Sequence, residues 1–157
     1  MSGVEYIAFQ ELNRTQLLDV VNKERVRKHL VSHDAFDEAT LEAWIASKVD
    51  VDMTAGCKVR GIKVDGDVAG WCGIQYENGG YELAIVLDPL FWGIGVAVFK
   101  DVMEWASELG HREVALHLFN TRPEYKFLKK MASRVYESEM FGQRYTSYLL
   151  RVQKPRG

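Results

Sequence analysis

Apolar residues recur along this chain with two periods, and the change from one to the other marks out its elements. Residues 4–9 alternate, with Val4, Tyr6 and Ala8 on one side, which predicts a first strand. Asn13 or Thr15 then opens a helical spacing through Leu17, Leu18 and Val21 that runs to about Leu30 and has a basic second half. A polar connection over 32–38 leads to a second helix, whose stripe is Leu41, Trp44, Ile45 and Val49. At Lys58 the period shortens. Residues 58–64, 68–76 and 81–87 read as three strands, joined by Asp65-Gly66 and Asn78-Gly79-Gly80, which suit tight hairpin turns. Within the third strand, 83–87 is an unbroken apolar run, as expected of a strand covered on both faces, and Asp88-Pro89 closes it.

Past that strand, Phe91-Trp92-Gly93-Ile94-Gly95-Val96-Ala97 forms a glycine turn into a third helix over 95–109. Its apolar stripe is Val96, Phe99, Val102, Met103, Ala106 and Leu109, and Gly110 supplies the stop. Residues 113–119 are the next strand, so 81–119 makes one βαβ crossover with parallel strands. A fourth helix is expected over 122–132, opened by Pro123, and strands over 135–140 and 144–152 close the chain. The order β-α-α-β-β-β-α-β-α-β-β predicts an α/β (α+β) fold with a mixed central sheet of about seven strands and four helices. At 157 residues and 47% hydrophobic content, one domain spanning 1–157 is expected.

A formal net charge of −2 gives no electrostatic footprint for nucleic acid or an anionic membrane. Cys57 and Cys72 are the only cysteines; they imply no disulfide framework and fit no zinc spacing, so no metal is expected. The N-terminal residues lack the basic and apolar regions of a signal peptide, and no apolar run approaches the roughly 20 residues of a membrane helix. A soluble cytoplasmic protein is the expectation.

The chemistry points to the glycine turn. Glycines at the mouth of a helix let a ligand approach the backbone, and the helix N-terminus favours an anion such as phosphate. A Walker loop is disfavoured because Val96 and Ala97 follow Gly95, where lysine and a hydroxyl residue would be needed. A dinucleotide fingerprint is disfavoured because Val98 stands where the third glycine would be. Instead, Phe91-Trp92-Gly93-Ile94-Gly95-Val96-Ala97 resembles the acyl-CoA-binding motif of the GNAT superfamily of N-acyltransferases, in the form found in ribosomal-protein N-acetyltransferase relatives. The element order is also that of the GNAT fold, so the resemblance covers nearly the whole chain.

The resemblance implies transfer of an acetyl or other acyl group from CoA to a primary amine of a small molecule or protein. It implies that backbone groups of Trp92, Gly93, Ile94, Gly95, Val96 and Ala97 cradle the pyrophosphate. It also implies that backbone groups of 83–87, among them Ile85, Val86 and Leu87, hold the pantetheine arm, and that Asn120 lies near a position where the family has asparagine. Glu82 matches the region of a carboxylate base, with a solvated strand-end glutamate as the alternative. His117 reads as a satisfied core histidine. Three positions depart from the pattern: Leu90, Leu128 where a tyrosine acid usually stands, and Ala132-Ser133. Tyr125, one turn before Leu128, is the substitute acid, with a packing role as its alternative; Tyr136 is a second candidate. The amine is expected between the first two helices and the closing strands, near Asp34, Asp37 and Glu38 and the aromatic Phe36, Trp44 and Tyr145. The closing strands leave a homodimer open. The competing function is a GNAT-fold protein without catalysis, acting as a CoA-binding or interaction module.

Overall fold

The computed structural model describes residues 3–23, 26, 35–77, 79–119, 125–140 and 142–153. Strands β1 (Val4–Ile7), β2 (Lys58–Val64), β3 (Asp67–Glu77), β4 (Gly80–Leu87), β5 (Glu113–Phe119), β6 (Ala132–Met140) and β7 (Gln143–Arg151) form one sheet in the order β1-β2-β3-β4-β5-β7-β6. All neighbours pair antiparallel except β4 and β5, the parallel pair of the predicted crossover. Four helices are described: α1 (Arg14–Asn22), α2 (Glu38–Asp52), α3 (Gly95–Glu108) and α4 (Lys126–Met131). This is the seven-stranded mixed architecture expected. None of the described helices is long and apolar enough to cross a membrane.

The alternation of side chains across the sheet builds two cores. Leu83, Leu87, Val114, Leu116, Tyr148 and Leu150 pack with Val98, Val102 and Ala106 of α3 on one face. On the other, Val59, Trp71 and Val86 meet Leu17 and Val21 of α1 and Leu41 and Ile45 of α2. Strand β4 is therefore covered on both sides, as its apolar run requires. Local signals fix the element ends. The Asn13 side chain accepts from the Gln16 N–H at 3.0 Å to start α1, and Asp37 and Thr40 form a reciprocal capping box at the head of α2. Asp65 and Gly66, both with positive φ, make the β2–β3 turn.

Several boundaries differ from the expected ones. Strand β1 stops at Ile7, and a 3-10 turn over Phe9–Glu11 buries Phe9. Helix α1 ends at Asn22, with Lys23 extended as its cap, while most of the continuation expected to Leu30 lies outside the described residues. The expected plain glycine turn is a 3-10 helix, Pro89–Ile94. Pro89 presets its first turn, the Asp88 side chain accepts from the Leu90 N–H at 2.9 Å, and the Phe91 N–H reaches the Asp88 carbonyl. Strand β6 begins at Ala132 rather than 135, through a bulge between Ala132 and Arg134.

Candidate active site

Strand β4 is anchored along its whole length to β3 but touches β5 at one ladder position, Glu82 opposite Ala115. Meanwhile β5 keeps full register with β7 from Glu113 to Phe119. Strands β4 and β5 thus part beyond Glu82, and the backbone of 83–87 faces a gap on its β5 side.

The far end of β4 leads into the 3-10 helix and α3. Gly93 and Gly95 stand there without an internal reason to be glycine. Gly95 has an ordinary helical φ of −55°, and neither residue is among the positive-φ positions. A methyl group built at Gly93 meets nothing within 4 Å, and at Gly95 only the Leu87 side chain at 3.9 Å. In a helix, glycine costs up to about 1 kcal/mol relative to alanine. The open space is therefore suited to something outside the chain, and the first turn of α3 presents the positive end of its dipole there. The Gly95 N–H itself bonds to the Trp92 carbonyl, so the cradle is partly self-satisfied in this conformation, and Val96 and Ala97 are exposed in the turn that follows. The Trp92 indole donates to the Leu87 carbonyl at 3.1 Å, tying the turn to the strand. Beside it, a shallow cleft of about 210 Å³ is lined by Asp19, Lys23, Asp67, Asp88, Leu90 and Phe91. The Lys23 ammonium bonds to Asp88 across that cleft at 2.5 Å, fixing the turn to the end of α1.

At the near end, Glu82 joins a polar cluster on the sheet face that α1 and α2 cover. Hairpin register places Gln75 beside Glu82, and the parallel bridge places Ala115, and therefore His117, on the same face. The Glu82 Oε2 lies 3.3 Å from His117 Nε2, and both side chains are largely buried, at 14% and 16% exposure. His117 Nδ1 lies 2.7 Å from Ser147 Oγ, which in turn lies 2.6 Å from Ser138 Oγ. Lys48 of α2, itself 9% exposed, donates to Gln75 Oε1 at 2.8 Å and stands 4.3 Å from the Trp71 ring centre. Burial pulls the Lys48 ammonium below its ordinary pKa, against the opposing pull of the Glu77 and Glu82 charges. Burial first, then the Glu82 charge and a hydrogen bond shared with Glu82, push the Glu77 carboxyl upward. The Tyr145 hydroxyl is raised by burial and by the same Glu82 charge.

Of the residues expected from sequence, Glu82 is held in this cluster, and Ile85, Val86 and Leu87 line the parted strand. Trp92, Gly93, Ile94, Gly95, Val96 and Ala97 sit at its far end; Asn120 and Asp34 lie outside the described residues. Tyr125 caps α4 and packs against the α3-side core with its ring 6.0 Å from Phe127, so the structure does not bring it together with Glu82. Tyr136 lies on β6 opposite Ser147, under the Arg134 guanidinium. His117 is satisfied, as read from sequence, but its partner is Glu82. Sequence reading missed Lys48, Glu77, Ser138 and Ser147. The Asn78-Gly79 hairpin signal, which sets Gln75 opposite Glu82, was the one clue to Glu77; nothing local marks the others.

A family model described as the acetyltransferase (GNAT) family matches residues 16–132, well over half of the chain. The chain belongs to the GNAT acetyltransferase family. Solved structures of the same fold agree. A candidate acetyltransferase of Acinetobacter baylyi ADP1 is 13% identical, with 99% of this chain and 95% of that one covered at a TM-score of 0.71. The N-acetyltransferase PseH of Campylobacter jejuni, solved with acetyl coenzyme A, is 16% identical over 96% and 99%, at 0.60. The PaiA N-acetyltransferase of Thermoplasma acidophilum, solved with coenzyme A, is 13% identical over 95% and 99%, at 0.58. Among curated proteins there is no match.

Two departures from the GNAT pattern have structural consequences. Leu90 is 82% exposed on the 3-10 helix, so its side chain contributes little to the fold. Leu128, in contrast, is 2% exposed and part of the core under α3. At the position where the resemblance led us to expect a tyrosine, Leu128 is a packing residue.

Proposed function

We propose that this protein is an N-acetyltransferase that moves an acetyl group from acetyl-CoA to a primary amine of a small molecule or protein, within one domain spanning residues 1–157. One observation carries the reading. The lone β4–β5 bridge sets the buried Glu82 carboxylate where the strands begin to part, and the parted strand ends at two glycines that the fold itself does not require. The slot and the open helix mouth fit an extended thioester with a pyrophosphate at one end. Backbone groups of Ile85, Val86 and Leu87 would hold the arm, and those of Trp92, Gly93, Ile94, Gly95, Val96 and Ala97 the phosphates; Asn120, next in sequence after Phe119, is the further cofactor-binding candidate.

Bound there, acetyl-CoA supplies an activated acetyl group. Glu82 accepts a proton from the incoming ammonium, which frees the nitrogen lone pair for attack. Glu77 and Glu82, with Tyr145 close to Glu82, favour a cationic acceptor, which would relieve the repulsion between the two carboxyl groups. Tyr125 is the candidate donor of the proton that the leaving thiolate takes up. The free, buried Cys57 and Cys72 suit a reducing compartment, and we place the activity in the cytoplasm.

Calorimetric titration with acetyl-CoA and CoA tests the site. Gly95→Glu sets a carboxylate at the helix mouth, where it favours the helix but repels phosphate; binding is expected in wild type and lost in this variant. In an amine panel, Glu82→Gln is expected to lower kcat by about 10²-fold or more with the KM for acetyl-CoA unchanged. The buried Leu128 favours a second reading, a CoA-binding module without turnover. Tight CoA binding with no transfer to any amine would select it.

A further inference from the structure

The hydrogen bonds around Glu82 run on past His117 and link four strands. From β4 they pass to β5, then to Ser147 in β7 and Ser138 in the edge strand β6. Ser147 Oγ is fully buried, at 0% exposure, so no acyl group can reach it as a nucleophile, although serine, histidine and glutamate in sequence have the partners of a triad. Its geometry serves another end. A neutral imidazole carries one proton, and the nitrogen that carries it is set by the hydrogen bond at the other. If Ser138 donates to Ser147 and Ser147 donates to Nδ1, the ring must carry its proton on Nε2, the atom that faces Glu82.

We propose that Ser147, backed by Ser138, is a positioning residue for Glu82 that acts through His117. The chain of donors then points one way, from the edge of the sheet to the carboxylate. It pins one Glu82 oxygen and so orients the carboxylate, and each bond in such a chain strengthens the next. This inference rests on Glu82 being the base of the proposed acetyl transfer. The other groups facing the dyad are Glu77 from β3, Lys48 from α2, Tyr145 from β7, and Tyr136 with Arg134 from β6. Glu77 repels the ionised carboxylate and Lys48 attracts it, so neither substitutes for a hydrogen bond that also orients it.

The test is the pH dependence of kcat/KM in Ser147→Ala, Ser138→Ala and Ser147→Thr. A hydrogen bond to an ionised carboxylate favours the ionised form, so losing it makes the base protonate at higher pH. In Ser147→Ala the acid limb is expected to move up by about one pH unit, with kcat at neutral pH lower by about tenfold and the KM for acetyl-CoA unchanged. Ser138→Ala, at a half-buried position, moves the limb the same way by less. Ser147→Thr keeps the hydroxyl and restores the wild-type limb. Loss of activity in Ser147→Ala with an unmoved limb means a merely structural serine and overturns the inference, as does an unmoved limb in both alanine variants. A wild-type limb in Glu82→Gln, or no transfer by the wild-type protein to any amine, overturns the proposed function and this inference with it.

Discussion

Glu77 and Glu82 bring two carboxyl groups together beside a buried lysine, and the fold bears a cost for it. The Glu77 carboxyl is raised by burial and by the Glu82 charge, so its ionised form is penalised in the folded protein. Below the ordinary carboxylate range the group is protonated whether folded or not, and it contributes nothing. As pH climbs from that range through the raised value, the penalty develops and stability falls. Glu77→Gln removes it. The variant is therefore expected to melt at a higher temperature than wild type at pH 7, with the difference vanishing near about pH 3, where the wild-type carboxyl is neutral in both states. Thermal denaturation at the two pH values decides this; equal melting temperatures at pH 7 would mean that Lys48 already compensates the pair. The same variant should bind a cationic amine more weakly, because the unrelieved repulsion is what the ammonium would exploit.

At the scale of elements, strand β4 has to be a core strand and a binding edge at once. Its hairpin with β3 supplies one full set of hydrogen bonds, from Gly70–Leu87 to Glu77–Gly80. The other side is paired only at Glu82, which leaves every second amide of 83–87 facing the gap. Those amides are expected to exchange quickly with solvent in the free protein and to become protected when acetyl-CoA is added, while the β3-facing amides stay protected throughout. Hydrogen exchange followed by NMR reads this residue by residue, and slow exchange of the whole strand without ligand would deny the slot. Much of this element was legible in advance: the unbroken run 83–87 required cover on both faces, and the Asp65-Gly66 and Asn78-Gly79-Gly80 signals predicted the meander. Less was legible at the glycine turn, because six residues of 3-10 helix are too short a stretch to show a period, and its stability comes from the Asp88 side chain accepting from the Leu90 N–H and the Trp92 indole reaching back to the strand. The Glu82–His117–Ser147–Ser138 chain was not legible at all. It depends on β7 inserting between β5 and β6, a long-range pairing that no local spacing records.

Taken whole, the sheet consists of two blocks, β1–β4 and β5–β7, joined through one ladder position and through one continuous core to which α3 contributes. Leu83 and Leu87 from the first block share a single core with Val114, Leu116, Tyr148 and Leu150 from the second. Because that core is continuous, unfolding in urea is expected as one transition even though the ladder is nearly interrupted. A ligand lying between β4 and β5 would touch both blocks and bind only when they are assembled, so its free energy adds to the whole fold rather than to one side. At about 100 times the dissociation constant, acetyl-CoA should stabilise the protein by about 2.7 kcal/mol, raising the urea midpoint without changing the slope, since the surface exposed on unfolding is nearly the same. Gly95→Glu supplies the comparison. Its midpoint without ligand should match or slightly exceed that of wild type, because a carboxylate at the first turn of α3 complements the dipole, yet acetyl-CoA should leave that midpoint where it was. A shift of equal size in both proteins would place the ligand elsewhere than at the glycine turn. A wild-type transition that splits in two without ligand and merges with it would mean that the shared core does not hold the blocks together, and that the bound acetyl-CoA does.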